Sequence, residues 1–247
     1  MSSNEKAFVY THLGLGDMFT MNGAIRALRE RYSKVYVVCK DMYKETVRSM
    51  YEDDPAILIV VVTGDEELHP WQEKSQELVN KGFDVFGCGW FSMKPHKAVY
   101  DFPNSFYDDL DMPRSVRQTH YKVPRTEGSR ILYESFAGRP YIVVHQEAST
   151  HTIPLIERIR ATGDTRLIIN LSKSTIESDG VIHIYRPFID YACLMEGAEE
   201  IHLIDSSLFC FAMFLNLEKV KRCVYYVRPD GVPTDCFNKF ECVTDYM

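Results

Sequence analysis

The chain has 247 residues, 45% apolar and 26% charged, with a net charge of −7. That balance belongs to ordinary globular proteins and excludes disordered and fibrous classes, while the length suits one large domain or two small ones. The acidic surplus and the lack of a basic run argue against nucleic acid as a main partner, and no apolar run approaches the roughly 20 residues of a membrane span.

The opening Met1-Ser2-Ser3-Asn4-Glu5-Lys6 lacks the charged, then apolar, then small pattern of a secretory signal. Seven cysteines form no CxxC or Cys/His finger spacing. Reduced thiols and a cytoplasmic location are expected.

In chain order, short β-branched runs alternate with helix-like segments, the pattern of a mainly parallel sheet. Residues 7–11 read as a strand. Met18, Met21, Ile25, Leu28 and Tyr32 then recur at spacings of three and four, with Arg26, Arg29, Glu30 and Arg31 between them. This predicts an amphipathic helix starting near Asp17. A strand over 35–39, a helix over 41–51, a strand over 57–62, a helix over 66–81 and a strand over 83–86 follow. From 87 to 138 the pattern loosens around Pro95, Pro103, Pro113 and Pro124; loops over a cleft, a short helix at 105–110 and a crossover near 125–139 are expected.

The alternation then restarts: strands at 141–145, 166–170, 181–185 and 200–204, helices at 153–161, 188–197 and 206–217, and a final strand at 223–227. Two small α/β lobes are the better reading, with the division at residues 1–130 and 131–247.

Ligands of open parallel sheets bind in the loops at the carboxyl ends of the strands. The sharpest such loop is His12-Leu13-Gly14-Leu15-Gly16-Asp17. Gly14 and Gly16 would let backbone N–H groups approach a ligand, with the positive end of the following helix behind them. A dinucleotide fingerprint would need glycine at Phe19, and the second strand ends at Lys40 rather than in an acidic ribose hook, so the NAD reading loses its supports. On spacing alone Asp17 reads first as a helix cap and second as a catalytic carboxylate.

At this loop a resemblance enters. His12-Leu-Gly-Leu-Gly-Asp17, followed by Asn22-Gly23 and Arg26-Ala27-Leu28, resembles the opening of heptosyltransferase-like GT-B enzymes. Glu199-Glu200-Ile201-His202-Leu203-Ile204-Asp205-Ser206-Ser207 resembles their strand–Asp–small–small–helix signature. Tyr141-Ile142-Val143-Val144-His145, with Ser149 and Thr150 after it, is similar to the first strand and loop of their donor lobe. The likeness spans about half the chain and is weak over 64–139. Similar short chains occur among sugar-transfer proteins of surface-polysaccharide systems and of large algal viruses, rhamnosyl-transferring domains among them. This chain is much shorter than the heptosyltransferases, which puts their acceptor pocket in doubt here.

The resemblance implies a GT-B-like fold of two Rossmann-like lobes with mainly parallel sheets and a cleft between them. It implies a nucleoside-diphosphate sugar as donor, a glycan or glycoconjugate hydroxyl as acceptor, and Asp17 as general base. On that footing Gly14, Gly16, His145, Ser149, Thr150, Asn170, Lys173, Arg186, Asp205, Ser206 and Ser207 are expected to hold the donor, and His12, Trp90 and Phe91 to meet the acceptor.

Each has a plainer alternative: Lys173, Arg186 and Arg228 as surface cations, His145 as a core histidine, Asp205 as a loop or helix cap, and Trp90 and Phe91 as core. No DxD triplet is present, and the acidic groups Asp53-Asp54 and Asp108-Asp109 with Asp111 read as turns or solvated faces, so neither a metal nor another cofactor is expected. A nucleotide-sugar epimerase, or a non-catalytic nucleotide- or glycan-binding module cut from a longer chain, are the rival functions.

Overall fold

The computed structural model of the chain describes residues 5–11, 14–68, 71–92, 94, 104–175, 178–228 and 239–244. The chain divides into two compact units, Met1–Pro124 and Arg125–Met247.

The first unit is built on β1 (Lys6–Tyr10), β2 (Lys34–Lys40), β3 (Ile57–Val62) and β4 (Phe83–Gly87), paired in the order β3-β2-β1-β4. Every pairing is parallel. Parallel strands are covered on both faces, which is why β1 and β2 read as nearly unbroken apolar runs. Phe8 and Tyr10 face one side, joining Val38, Val62, Leu68 and Phe91 in an aromatic-rich cluster. Ala7 and Val9, pointing the other way, are fully buried.

Helix α1 (Leu15–Arg29) starts two residues before the predicted point, with Gly14 as its N-cap. Met18, Phe19, Met21, Ile25 and Leu28 are buried, and so are Thr20, Asn22, Gly23 and Ala24. The helix is therefore covered on more than one side. Its second cover comes from α4 (Ser105–Asp109) and α5 (Val116–Thr119), in a stretch expected to be mostly loop. A Cβ at Gly23 would lie 2.5 Å from the Val116 carbonyl oxygen, so only glycine admits this approach.

Asn22 completes the attachment. Its Oδ1 accepts the Lys122 N–H at 2.9 Å and its Nδ2 donates to the Lys122 carbonyl at 3.2 Å. Arg26 Nη2 donates to the same carbonyl at 3.0 Å and to Asp53 at 2.7 Å.

The predicted helix at 41–51 forms as a 3-10 turn, Asp41–Tyr43, then α2 (Lys44–Met50). That at 66–81 divides into a 3-10 turn, Asp65–Leu68, and α3 (Trp71–Asn80).

The second unit opens with α6 (Glu127–Glu134), where only a crossover was expected. Thr126 caps it, accepting the Ser129 N–H at 3.0 Å. Six parallel strands follow in the order β10-β9-β8-β5-β6-β7: β5 (Tyr141–His145), β6 (Leu167–Asn170), β7 (Val181–His183), β8 (Glu200–Ile204), β9 (Arg222–Tyr226) and β10 (Glu241–Val243). Strand β10 corrects the expectation that the strand near 223–227 is the last. It is only three residues long and mostly exposed, so periodicity gives no signal for it.

Between the strands run α7 (Leu155–Ala161), α8 (Ala192–Glu196) and α9 (Ser207–Ala212). Ile142, Val144, Ile153, Leu155, Ile156, Ile159, Ile168 and Ile204 form one core cluster. Each contributes about 1.5–3 kcal/mol by leaving water. Phe209 of α9 stacks on Tyr225 at 3.8 Å between ring centres. Helix α8 begins as a 3-10 turn, Phe188–Tyr191, and α9 stops at Ala212, five residues short of its predicted end. Among the described residues no helix is long and apolar enough to cross a membrane.

Candidate active site

In each sheet the strand order reverses direction once. In the first unit this happens between β1 and β4, in the second between β5 and β8. The loops leaving those four strands lie where open α/β sheets bind ligands.

After β1, Gly14 adopts an extended conformation and α1 begins. Asp17 is not the N-cap, as the cap reading supposed; it is the third residue of the helix. Its carboxylate turns back and accepts the Gly14 N–H, which is the acidic half of a capping box. A Cβ at Gly14 would lie 2.7 Å from Asp17 Oδ2. The space at Gly14, expected to admit a ligand, is filled by this side chain. Gly16 lies within the first turn of α1.

Burial raises the Asp17 pKa to about 7, against the opposing pull of the Gly14 N–H. Desolvation penalises the charged form more than one hydrogen bond favours it. Near neutral pH the group is thus divided between acid and base, the condition in which a carboxylate exchanges protons well.

After β4, the Cys88 N–H donates to the Tyr10 carbonyl at 2.9 Å and continues the ladder. A Cβ at Gly87 would fall 1.7 Å from the Phe91 carbonyl oxygen, so the loop folds on itself only with glycine there. Asp109 pins it, accepting the Gly89 N–H at 2.8 Å and the Ser92 hydroxyl at 2.6 Å.

Phe91, expected at the acceptor, is buried in the core against Tyr10, 6.1 Å between ring centres, because the folded loop turns it inward. His12 and the side chain of Trp90 lie outside the described residues. The acidic groups take protein partners: Asp53 pairs with Arg26 and Lys122, Asp54 with Arg29, Asp108 with Arg114, and Asp111 with Lys94.

In the second unit His145 ends β5, buried, with its ring edge toward Phe188. Burial lowers its pKa to about 4, so it is neutral at pH 7. Its Nδ1 lies 3.1 Å from Ser206 Oγ, and Ser206 caps α9 by accepting the Phe209 N–H at 3.4 Å. Strand ends β5 and β8 are thereby joined where the strand order reverses. Asp205 leaves the cap to Ser206 and stands 3.7 Å from Arg228 Nε.

Beyond His145 the chain makes a tight hairpin over 147–152, closed by a bridge between Glu147 and Thr152. Ser149 and Thr150 are exposed at its tip. Thr150 Oγ1 is 3.1 Å from His151 Nδ1, and His151 is held below the usual imidazole range first by burial, with Asp205 and Arg228 acting in opposite senses.

Asn170, expected to touch the donor, is fully buried and holds the loop after β6 instead. Its Oδ1 accepts the Ser172 N–H at 3.0 Å, and its Nδ2 is 3.2 Å from His183 Nδ1. Lys173 and Arg186 are exposed on the loops after β6 and β7.

Sequence reasoning missed Gln146 and Ser172, which tie the loops after β5 and β6 together. The Gln146 N–H donates to Ser172 Oγ at 2.9 Å, and its Oε1 accepts the Ile156 N–H at 3.1 Å. It also missed His151, for which a second histidine six residues past His145 was the available signal.

No protein-family model and no curated protein matches the sequence. Among solved structures the chain is similar to E. coli ADP-heptose LPS heptosyltransferase II, with a TM-score of 0.66 at 14% identity over 96% of this chain and 90% of that one. The glycosyl transferase family 9 protein from Veillonella parvula DSM 2008 gives 0.56 at 12% identity, over 93% and 88%. E. coli heptosyltransferase WaaC with ADP-2-deoxy-2-fluoro heptose gives 0.52 at 13% identity, over 96% and 92%.

The fold is the GT-B fold of the heptosyltransferases. The motifs at both ends of the sequence imply the same architecture. At such identities the likeness concerns the GT-B fold and assigns no residue its role.

Proposed function

We propose that this chain is a glycosyltransferase that moves a hexose or deoxyhexose from a nucleoside-diphosphate sugar to a hydroxyl of a glycan acceptor. The single observation that carries the reading is Asp17: a half-buried carboxylate at the reversal point of a parallel sheet, its pKa raised by desolvation to about 7.

An acceptor hydroxyl is too weak an acid to ionise by itself. Asp17 takes its proton as the oxygen bonds to the anomeric carbon, a contribution of about 10²–10⁴-fold. The bond from that carbon to the diphosphate breaks in the same step, with inversion, and the nucleoside diphosphate leaves with the bonding electrons. Its charge falls to the second unit, to the N–H and hydroxyl groups of Ser206 and Ser207, the side chains of Lys173 and Arg186, and the hairpin tip at Ser149 and Thr150. No metal has a step in this scheme; turnover in excess EDTA equal to that with Mg²⁺ or Mn²⁺ is the expected result, and loss restored by metal would overturn that part.

The test is transfer itself. With a verified donor and acceptor, Asp17→Asn should bind donor as the wild type does and turn over at least about 10²-fold more slowly. Near wild-type turnover would remove the catalytic assignment. Conversion of the donor sugar without any acceptor would make the protein an epimerase, and donor binding with no reaction at all would make it a binding module.

A further inference from the structure

Tyr185 is the most exposed aromatic side chain among the described residues, at 67%. It lies just past the carboxyl end of β7, on a loop whose backbone is fixed on both sides of it. The Tyr191 hydroxyl accepts the Arg186 N–H at 2.6 Å and donates to the Ile184 carbonyl at 3.1 Å. The Ile184 N–H donates to the Asn170 carbonyl at 3.0 Å. Tyr191 itself is fully buried. A phenol ring is thus presented to solvent on a rigid mount rather than on a loose loop.

Its surroundings define what it could bind. The order β8-β5-β6-β7 sets Ser206 and His145 at the reversal point, Lys173 one strand further, and Tyr185 with Arg186 at the edge. Two strand spacings separate β5 from β7, roughly 10 Å. The hydroxyl groups and the long cationic side chains suit a diphosphate, and the aromatic face at the sheet edge, about 10 Å from the reversal point, lies at the distance of the base in an extended nucleotide.

We propose that Tyr185 is the stacking platform for the base of the nucleoside diphosphate. The inference rests on the donor reading of the second unit and adds the subsite that holds the base. Because every base has a π face, the platform grips nucleosides with little discrimination among them.

The test is calorimetric titration of ADP, UDP, GDP and inorganic pyrophosphate into the wild type and into Tyr185→Ala and Tyr185→Phe, with melting curves beside them. Tyr185→Ala should weaken the nucleoside diphosphates at least about fivefold, leave pyrophosphate and melting unchanged, and be rescued by Tyr185→Phe. In Tyr185→Trp, indole fluorescence should be quenched as a nucleoside diphosphate is added. Wild-type affinity in Tyr185→Ala with no quenching in Tyr185→Trp would overturn the platform and leave the donor reading standing. Equal weakening of pyrophosphate would also overturn it, since the loss would not be that of a stack. A wild type that binds no nucleoside diphosphate would overturn the donor reading and the platform together.

Discussion

His145 Nδ1 and Ser206 Oγ stand 3.1 Å apart and fasten the end of β5 to the cap of α9. The contact uses a neutral ring, since burial holds His145 at about 4. In the unfolded chain the same group titrates near 6.5. A folded pKa below the unfolded one gives stability that is present above pH 6.5 and lost as pH falls through about 4. His145→Asn keeps a polar partner for Ser206 but has no proton to gain. Melting temperatures from pH 7 to pH 4 should fall less in this variant than in the wild type; parallel curves would show that the histidine is not neutral in the fold.

Asp17 gives the opposite sign. Its folded pKa of about 7 lies above the ordinary 3.8. The native state holds the proton more tightly, so the stability linked to it is complete below pH 3.8 and is lost as pH rises through 7. Asp17→Asn has no such loss. The melting temperature of the variant, compared with the wild type at each pH, should improve steadily between pH 4 and pH 8. A constant difference would mean that Asp17 ionises as freely as an exposed carboxylate.

Gly14→Ala should act through Asp17. The new methyl group takes the space of Oδ2 and drives the carboxylate off the Gly14 N–H into water. Losing burial, the larger influence, lowers its pKa. The acidic limb of the pH–rate profile should then shift to lower pH, with turnover reduced, and alanine in place of the N-cap glycine should cost about 1 kcal/mol of stability. An unmoved acidic limb in an active variant would separate Gly14 from the carboxylate.

Ser207→Glu distinguishes a donor contact from a plain helix start. If Ser207 meets the diphosphate, the carboxylate repels it and the donor binds more than about tenfold more weakly, the equivalent of one charge-assisted hydrogen bond. If the serine only begins α9, an acidic residue there is neutral or mildly stabilising. Calorimetric titration of donor beside a melting curve gives the answer, and unchanged affinity would remove Ser207 from the site.

The fold was largely legible because parallel strands announce themselves. The runs Tyr141–His145 and Glu200–Ile204 form at the predicted bounds; strands buried on both faces favour apolar runs, and the polar His202 within the second is partnered by Tyr226 and Glu200. Legibility failed where tertiary contacts decide. Helix α5 exists because Gly23 opens a seat for it, and β10 because β9 offers an open edge; neither carries a period of its own. Of the candidate site, the loop positions were readable and the directions of the side chains were not. Phe91 and Asn170 point inward because Gly87 folds one loop and Ser172 binds the other, and no spacing rule contains those bonds.

Asn22 grips Lys122 by both its N–H and its carbonyl across 100 residues of chain. The consequence concerns synthesis. Helix α1 leaves the ribosome before α4, α5 and the irregular segment at Lys122, against which it packs. Long-range closure of this kind is slow and comes late. The first unit therefore cannot complete its core until Lys122 has been made, and a nascent chain arrested before residue 116 should remain protease-sensitive along α1.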